Sequence, residues 1–327
     1  MTQVSIIVAT YNADPDKLRK TLEAAVAQRG VEVEIIITDD GSSRKDFDFL
    51  PAFFASHNFS RYQLLEHAVN RGTVYNCYDG VRAANGEYVF LTSPGDYLFD
   101  ETTMQRFYEF ARQRDCQICF GNAVRYAVAD GKLVRTSLYG IPPSPEAYGP
   151  QSTVRGQKIS FFGGNSIIGA CYFRSRELTE KYLSQLLGVA VYMEDTPTTM
   201  MALLEGIRVD HLDSNIVFYE DGTGVSTGGN DKWNKLLRLD LSRSLEMLRA
   251  KYPNEPCLKI LHNNISQTSQ YKRIAYRFLR YPLISLSMLT ERKLRKAKQV
   301  HCPPEDWERF ASFLFRNTKN EVITNGD

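Results

Sequence analysis

Acidic side chains carry most of the chemical promise of this chain, and they fall in three short groups far apart in sequence. Asp39-Asp40-Gly41-Ser42-Ser43 follows an apolar run, Asp96 follows the turn Pro94-Gly95, and Glu194-Asp195 precedes Thr196-Pro197. A buried Asp beside backbone amides is suited to accept hydrogen bonds from a uracil or ribose edge. An acid just past the carboxyl end of a strand stands where open α/β sheets bind ligands, and it meets a metal, a ribose or a phosphate-bearing group there. Each group also has a purely structural reading. Asp and Ser favour tight turns, and Glu194 and Asp195 would favour the dipole of the helix they open. Two polar stretches complete the set: Thr10-Tyr11-Asn12 leaves the first strand, and Asn70-Arg71-Gly72 opens a helix. Cys116-Gln-Ile-Cys119 has apolar neighbours and no second pair, so it reads as core strand rather than metal or redox site.

The stretch Gly72–Asp96 must position the central acid. Tyr75, Tyr78, Val81 and Arg82 fall on one helical face, and Asn85-Gly86 stops the helix. Tyr88–Leu91 reads as a strand covered on both faces. Upstream, Val4–Val8 is a buried strand. Asp14 caps a helix with Pro15 at its first position, and Leu18, Leu22, Ala25 and Val26 form its apolar stripe before Gly30. Val33–Thr38 is a second strand, so this strand-helix-strand unit should be parallel with a right-handed crossover.

Arg61–Glu66 gives a third strand, Glu101–Arg112 a helix, Gln117–Phe120 a strand, and Val124–Val134 a hairpin turning at Asp130-Gly131. Leu138–Gly156 lacks periodicity and reads as a long loop. Ile167–Phe173 reads as a strand and Glu177–Leu187 as a helix. Thr198–Leu204 reads as a helix, Val209–Leu212 and Ile216–Tyr219 as strands, and Asp221–Thr227 as a flexible polar loop.

From Asp231 the pattern turns helical. Trp233, Leu236, Leu237, Leu241, Leu245 and Leu248 recur at helical spacing, and further helices are expected over Ile265–Leu279 and Pro282–Lys298. The last carries Arg292, Lys293, Arg295, Lys296 and Lys298, close to Arg277 and Arg280. Such a basic amphipathic helix suits an anionic membrane surface, and equally a solvated face packed on the main domain. The division implied is residues 1–229 as catalytic domain and residues 230–327 as a helical extension that associates with membrane or with a second copy.

The totals fit this picture. The chain has 327 residues, 43% hydrophobic and 24% charged, ordinary for a globular protein. A net charge of +2 gives no reason to expect nucleic acid. No basic leader precedes the first strand, no apolar run reaches the roughly 20 residues that span a bilayer, and six scattered cysteines suit a reducing compartment. A cytoplasmic protein is expected, peripheral on the cytoplasmic face of a membrane.

Taken together, these residues resemble the family 2 glycosyltransferases of glycosyltransferase-A fold, over about Val4–Thr227. The strings that carry the resemblance are Val4-Ser-Ile-Ile-Val-Ala-Thr-Tyr-Asn12, Ile35-Ile-Ile-Thr-Asp-Asp-Gly-Ser-Ser43, Asn70-Arg-Gly72, Ala84-Asn-Gly-Glu-Tyr88, Ser93-Pro-Gly-Asp96 and Glu194-Asp195. The resemblance implies an α/β fold with a mostly parallel central sheet flanked by helices. It implies inverting transfer of a sugar from a nucleotide diphosphate sugar, by default a UDP-sugar. The acceptor would be a hydroxyl of a glycan or of a polyprenyl-diphosphate-linked acceptor, in the synthesis of polysaccharide, O-antigen or capsule. Thr10, Tyr11, Asn12, Asp39, Asp40 and Arg71 would bind the donor, with Asp40 against the base. Asp96 would sit by the diphosphate and its Mn²⁺ or Mg²⁺. Asp195 would be the catalytic base with Glu194 beside it, and Gly164-Asn165 would belong to a loop facing donor or acceptor.

One departure stands out. Gly95 occupies a place where the family usually has Asp, so only Asp96 remains of an Asp-x-Asp cluster. This thins the metal site and keeps a rival reading alive, a nucleotide-sugar-binding protein without transfer activity. Retention of Glu194-Asp195 speaks against the rival, because a pure binder needs no base. A nucleotidyltransferase would want a Gly-rich phosphate loop near the first strand, and none is there.

Overall fold

A computed structural model describes residues 2–136, 139–222, 231–266, 269–280 and 300–316, with positions 282 and 286. The helix expected over 282–298, most of the loop expected over 221–227 and the tail after Arg316 lie outside the described residues.

The chain opens as read. Strand β1 (Val4–Thr10) leads through helix α1 (Pro15–Val26) to strand β2 (Val33–Asp39). Asp14 caps α1 by accepting the amides of Asp16 and Lys17 at 2.9 and 3.1 Å. Every residue of β2 is buried, as a strand covered on both faces requires. Helix α2 (Leu50–Ser56), β3 (Tyr62–Glu66), α3 (Thr73–Ala83), β4 (Tyr88–Thr92), β5 (Tyr97–Leu98) and α4 (Thr103–Arg114) follow. Then come β6 (Ile118–Ala129), β7 (Lys132–Arg135), α5 (Val154–Phe162), β8 (Tyr172–Ser175), α6 (Arg176–Leu186), α7 (Asp195–Leu204) and β9 (Asp210–Glu220). Helices α8 (Asp231–Lys251), α9 (Pro256–Ser266), α10 (Gln270–Arg280) and α11 (Pro304–Phe315) come last.

The strands form one sheet, ordered β3-β2-β1-β4-β8-β6-β9-β5 with β7 paired to β6. β3, β2, β1 and β4 are mutually parallel. Beyond them β8 runs antiparallel to both β4 and β6, and β9 returns parallel to β6. Register sets the site. Thr10 lies opposite Asp39, and Val8 opposite Thr92, so the loops bearing Asp40 and Asp96 leave the same edge of the sheet.

The buried face of α3 is Val74, Cys77, Gly80 and Val81, not the expected tyrosine face. Tyr75 and Tyr78 sit half-buried under Arg71 and Arg82, whose guanidinium carbons lie 5.0 and 5.7 Å from the ring centres. Gly80 decides the difference: a Cβ there would lie 2.6 Å from Ile7 Cγ2, so α3 descends onto the sheet at this residue.

Other departures have equally local causes. The expected strand over 167–173 is a 3-10 turn (Gly169–Cys171) that delivers β8. The expected loop over 138–156 contains a 3-10 turn, Pro145–Tyr148, and the start of α5. It is ordered by Tyr148, which is fully buried edge-on against Phe120 and donates to Asn165 O at 2.5 Å. The two strands expected over 209–219 are one, because long β6 pairs with both across an irregular register at Phe120–Ala123. The helix expected over 265–279 is divided between α9 and α10. Helices α2 and α11 were not anticipated; each begins with proline in its first turn.

The C-terminal helices share the core. Leu245, Leu248, Cys257, Leu258 and Leu261 belong to the same apolar cluster as the central strands. In α11, Phe310 stacks face to face on Phe218 at 3.8 Å, within a second cluster that includes Tyr97 and Tyr126.

Candidate active site

Asp39 and Asp40 end β2 with every carboxylate oxygen engaged. Asp39 is fully buried and accepts the Thr10 hydroxyl at 3.1 Å, the Ser42 amide at 2.9 Å and the Ser42 hydroxyl. Asp40 accepts the amides of Arg71 and Gly72, both at 2.8 Å. Burial pushes the Asp40 carboxyl up, against those two amides, which pull it down. Asn76 of α3 ties the strand ends together, donating to Thr10 O and Thr38 O at 3.2 Å each. Asn12, with φ of 47°, accepts the amide and hydroxyl of Ser43 at 3.0 and 2.9 Å. Tyr11 remains 54% exposed and is free to meet a ligand ring. Arg71 pairs with Asp79 and approaches His67 Nδ1 at 3.3 Å. These residues, expected from the sequence to bind the donor, therefore form one braced edge.

Asp96 is poorer in partners. It accepts the Ser93 hydroxyl at 3.1 Å and the Glu220 amide at 3.3 Å. Burial, with the Glu220 charge adding to it, pushes its carboxyl up to about 7 despite these donors and nearby Lys17. Gly95 has φ of 104°, and a Cβ there would lie 2.5 Å from Glu220 Oε2. The carboxylate missing from residue 95 thus has a neighbour arriving from β9, held by Lys17 Nζ at 2.6 and 2.7 Å. Sequence reasoning missed both Lys17 and Glu220, which are separated by most of the chain.

A divalent cation has been expected at Asp96. Among the described residues no group of three His, Cys, Asp or Glu side chains could hold a metal. Asp96, with the Glu220 carboxylate beside Gly95, would supply one or two ligands, which fits an ion held jointly with a substrate diphosphate rather than a cage built by protein alone.

Glu194 and Asp195 open α7. Burial first, and then the charge of Asp195, pushes Glu194 up to about 7, with Arg174 opposing. Asp195 Oδ1 accepts the amide of Thr196 at 2.6 Å. Arg174, 4% exposed on β8, lies 3.8 Å over the Tyr172 ring and reaches Asp195 O at 3.5 Å. Its sequence signal was a lone arginine at the end of an apolar run. The segment before Glu194 is held from α8: Asp240 Oδ2 accepts the amides of Val191, Tyr192 and Met193 at 3.0, 2.6 and 3.1 Å. Asp240 had a legible signal that went unread, an acid among the apolar residues of a helix stripe.

The three acid groups converge on α3 and the 169–171 turn. The buried thiol of Cys77 feels the charges of Glu194, Asp195, Arg174 and Asp40 together. Val74 donates its amide to Val191 O at 3.0 Å. Cys171 feels Asp96, while a Cβ on adjacent Gly169 would lie 2.9 Å from Asp195 Oδ2. Asn165 is 1% exposed and fully engaged, bonding Ser144 N, Ser144 O and Ser160 Oγ at 2.7, 2.8 and 2.9 Å. Its place is inside the loop, whereas Gly164 lines a cavity beside Met193 and Thr196.

The family model for glycosyl transferase family 2 matches residues 5–183, more than half of the chain. The chain belongs to that family. Among its relatives, the glycosyltransferase GlyG of Streptococcus pneumoniae is 28% identical over 131 residues, 40% of this chain and 42% of the relative. The succinoglycan biosynthesis protein ExoO of Rhizobium meliloti is 30% identical over 132 residues, 40% of this chain and 36% of ExoO. The match thus spans about two fifths of these relatives. Among solved structures, S. aureus TarS 1-349 in complex with UDP-GlcNAc aligns with a TM-score of 0.55 and 15% identity, over 91% of this chain and 93% of TarS. The mannosyltransferase PcManGT from Pyrobaculum calidifontis, in complex with GDP-Man and Mn²⁺, aligns with a TM-score of 0.57 and 15% identity, over 95% of this chain and 84% of the other. These likenesses establish the glycosyltransferase-A fold for this family 2 chain.

Proposed function

We propose that this family 2 member is an inverting glycosyltransferase that moves a sugar from a nucleotide diphosphate donor to an acceptor hydroxyl. The observation that carries the reading is geometric: strand register sends the loops bearing Asp40 and Asp96 off one sheet edge, and Asp195 lies against Gly169 in the turn that leads into β8. Asp195 is the base. The bond from anomeric carbon to the donor's phosphate oxygen breaks as the bond to the acceptor oxygen forms. The electron pair leaves with the diphosphate, and the acceptor's proton passes to the Asp195 carboxylate. Burial and the adjoining Asp195 charge raise the Glu194 carboxyl to about 7 against the pull of Arg174, so Glu194 holds a proton below that pH.

The Asp40 edge binds the nucleoside, with UDP as the nucleotide in keeping with the TarS complex. A divalent ion at Asp96 would offset charge on the departing diphosphate. The acceptor side opens into a cavity of about 630 Å³ beside Met193 and Thr196. Its walls mix apolar Phe162, Met200 and Leu261 with the cationic Arg238 and Arg273, which suits a phosphate-bearing lipid-linked glycan in polysaccharide synthesis. Tyr271 and Leu279, 86% and 87% exposed on α10 near Lys272 and Arg280, support contact with a membrane surface. Among the described residues no helix is long and apolar enough to cross a membrane.

The test is nucleoside diphosphate release from a panel of sugar nucleotides with a membrane-lipid extract as acceptor, for the wild type and Asp195→Asn. Release with one donor, lost in the variant, is expected. Binding of a sugar nucleotide without release, persisting across a series of purified acceptors, would instead make this a binding protein.

A further inference from the structure

We infer that Asp240 is a positioning residue for sugar transfer: from helix α8, one of its carboxylate oxygens fixes the segment that presents Glu194 and Asp195. The inference rests on the reading of that pair as the catalytic base. The segment after α6 and before α7 is irregular, so its backbone amides have no ladder of their own and need partners when buried. Three successive amides, those of Val191, Tyr192 and Met193, converge on Asp240 Oδ2 within 3.1 Å. Such a concave run of N–H groups is a fitting receptor for an anion, and here the anion is supplied by the chain itself.

Packing alone does not call for this carboxylate. Asp240 is 2% exposed, one residue before Leu241 and four before buried Ser244, on the face of α8 that meets the core. An apolar residue would fill that place without the cost of removing a charge from water. What the charge adds is direction. The opposite side of the segment is held by Val74 N, which donates to Val191 O at 3.0 Å, and Tyr192 meets Trp233 of α8 edge-on at 5.1 Å. The segment is therefore clamped between α3, whose first turn follows the Asp40 partners Arg71 and Gly72, and α8. Glu194 follows the last clamped amide directly, so the height of the base above the donor is set from the C-terminal helix.

Releasing the clamp should shift the base while sparing nucleoside recognition, because Thr10, Asp39 and Asp40 are held by hydrogen bonds to partners other than Asp240. A displacement near 1 Å at a reacting group costs about 10²-fold in rate. The experiment compares full-length wild type, Asp240→Ala, Asp240→Asn, Asp240→Glu and Asp195→Asn. It records kcat, donor KM, affinity for UDP alone, and Tm. Asp240→Ala is expected to lose about 10²-fold in kcat at unchanged UDP affinity. Asp240→Asn, which keeps one acceptor oxygen, should recover most of that loss.

A lowered Tm with wild-type kcat per folded molecule in Asp240→Ala would overturn the inference, as would an equal loss of UDP affinity. If Asp240→Ala does not fold, Asp240→Glu decides: a kcat loss at unchanged UDP affinity supports the role, and wild-type kcat overturns it. Wild-type kcat in Asp195→Asn would sink the base reading on its own, whichever way the Asp240 variants fall.

Discussion

The two ends of the site use the same residue types to opposite effect. At the proposed nucleoside end, Asp39 and Asp40 are 0% and 3% exposed, and each oxygen meets a hydroxyl or amide donor within 3.1 Å. At the proposed transfer end, Asp96 meets one hydroxyl and one amide at 3.1 and 3.3 Å with Glu220 close by, half-buried Glu194 adjoins Asp195, and both carboxyls are pushed up to about 7. The ends differ in how close the donors come and in the charge of a second carboxylate, which raises Asp96 and Glu194. Where short N–H donors converge on an acid, it becomes architecture. Where a second carboxylate crowds it, the acid keeps a proton or cation to exchange.

The contrast can be broken most forcefully at Asp195. Asp195→Asn is expected to cost on the order of 10² to 10⁴ in transfer rate with UDP affinity intact, the usual worth of general acid–base catalysis. Should the rate survive in a single-turnover assay, the transfer end would be as architectural as the other. The next largest effect lies in stability. Asp39→Ala strands the Thr10 and Ser42 donors and should destabilise the fold by about 1–3 kcal/mol in urea unfolding. Asp40→Ala should in addition raise donor KM, since Asp40 is proposed to meet the base and also pins the Arg71-Gly72 turn.

Gly95→Ala places a Cβ against Glu220 at a backbone angle that disfavours side chains. A loss of about 1–3 kcal/mol is expected, and unchanged stability would show that Glu220 moves aside freely.

A separate effect is the slope of stability with pH. Glu194 and Asp96 hold protons in the folded chain up to about 7, whereas unfolded carboxyls release them near pH 4. The folded state therefore binds more protons between those limits, and stability falls as pH rises from about 4 to 7. Glu194→Gln and Asp96→Asn should each flatten that fall, seen as a gain in Tm at pH 8 relative to pH 5. A parallel pH dependence in both variants would remove these two groups as its source.

Much of this was legible in the sequence, and the legible parts share a cause. β1, β2 and the α3–β4 unit announce themselves by unbroken apolar runs closed by capping and turn residues, so local pattern and tertiary context agree. The donor-binding strings sit at strand ends, where register fixes them. What escaped was long-range pairing. The order within 138–156 depends on Tyr148 finding Phe120, the single strand β9 exists because β6 is long enough to pair with it, and the Lys17–Glu220 pair joins residues 203 apart. The buried face of α3 was misjudged because Tyr looks like core, while Gly80, with nothing to bury, marks the closest approach. Arg174 and Asp240 show that a lone charge on an apolar face is a signal in its own right, since such a residue stays only where a partner exists.

The docking of α11 carries a consequence for how the enzyme comes into being. Gly95 O accepts the Tyr126 hydroxyl at 2.7 Å, and Tyr126 is covered by Phe310 at a ring separation of 4.9 Å, while Lys20 reaches across to Phe313 O at 2.9 Å. The turn that bears Asp96 is thus backed by a helix translated long after it. At typical elongation rates the interval is on the order of tens of seconds. From the synthesis of Phe218 until that of α11 the nascent chain exposes Tyr97, Phe218 and the rear of that turn together. A ribosome that stalls before residue 304 leaves an uncovered aromatic surface for chaperones and proteases to recognise, so the docking of α11 marks the moment at which the Asp96 turn gains its backing.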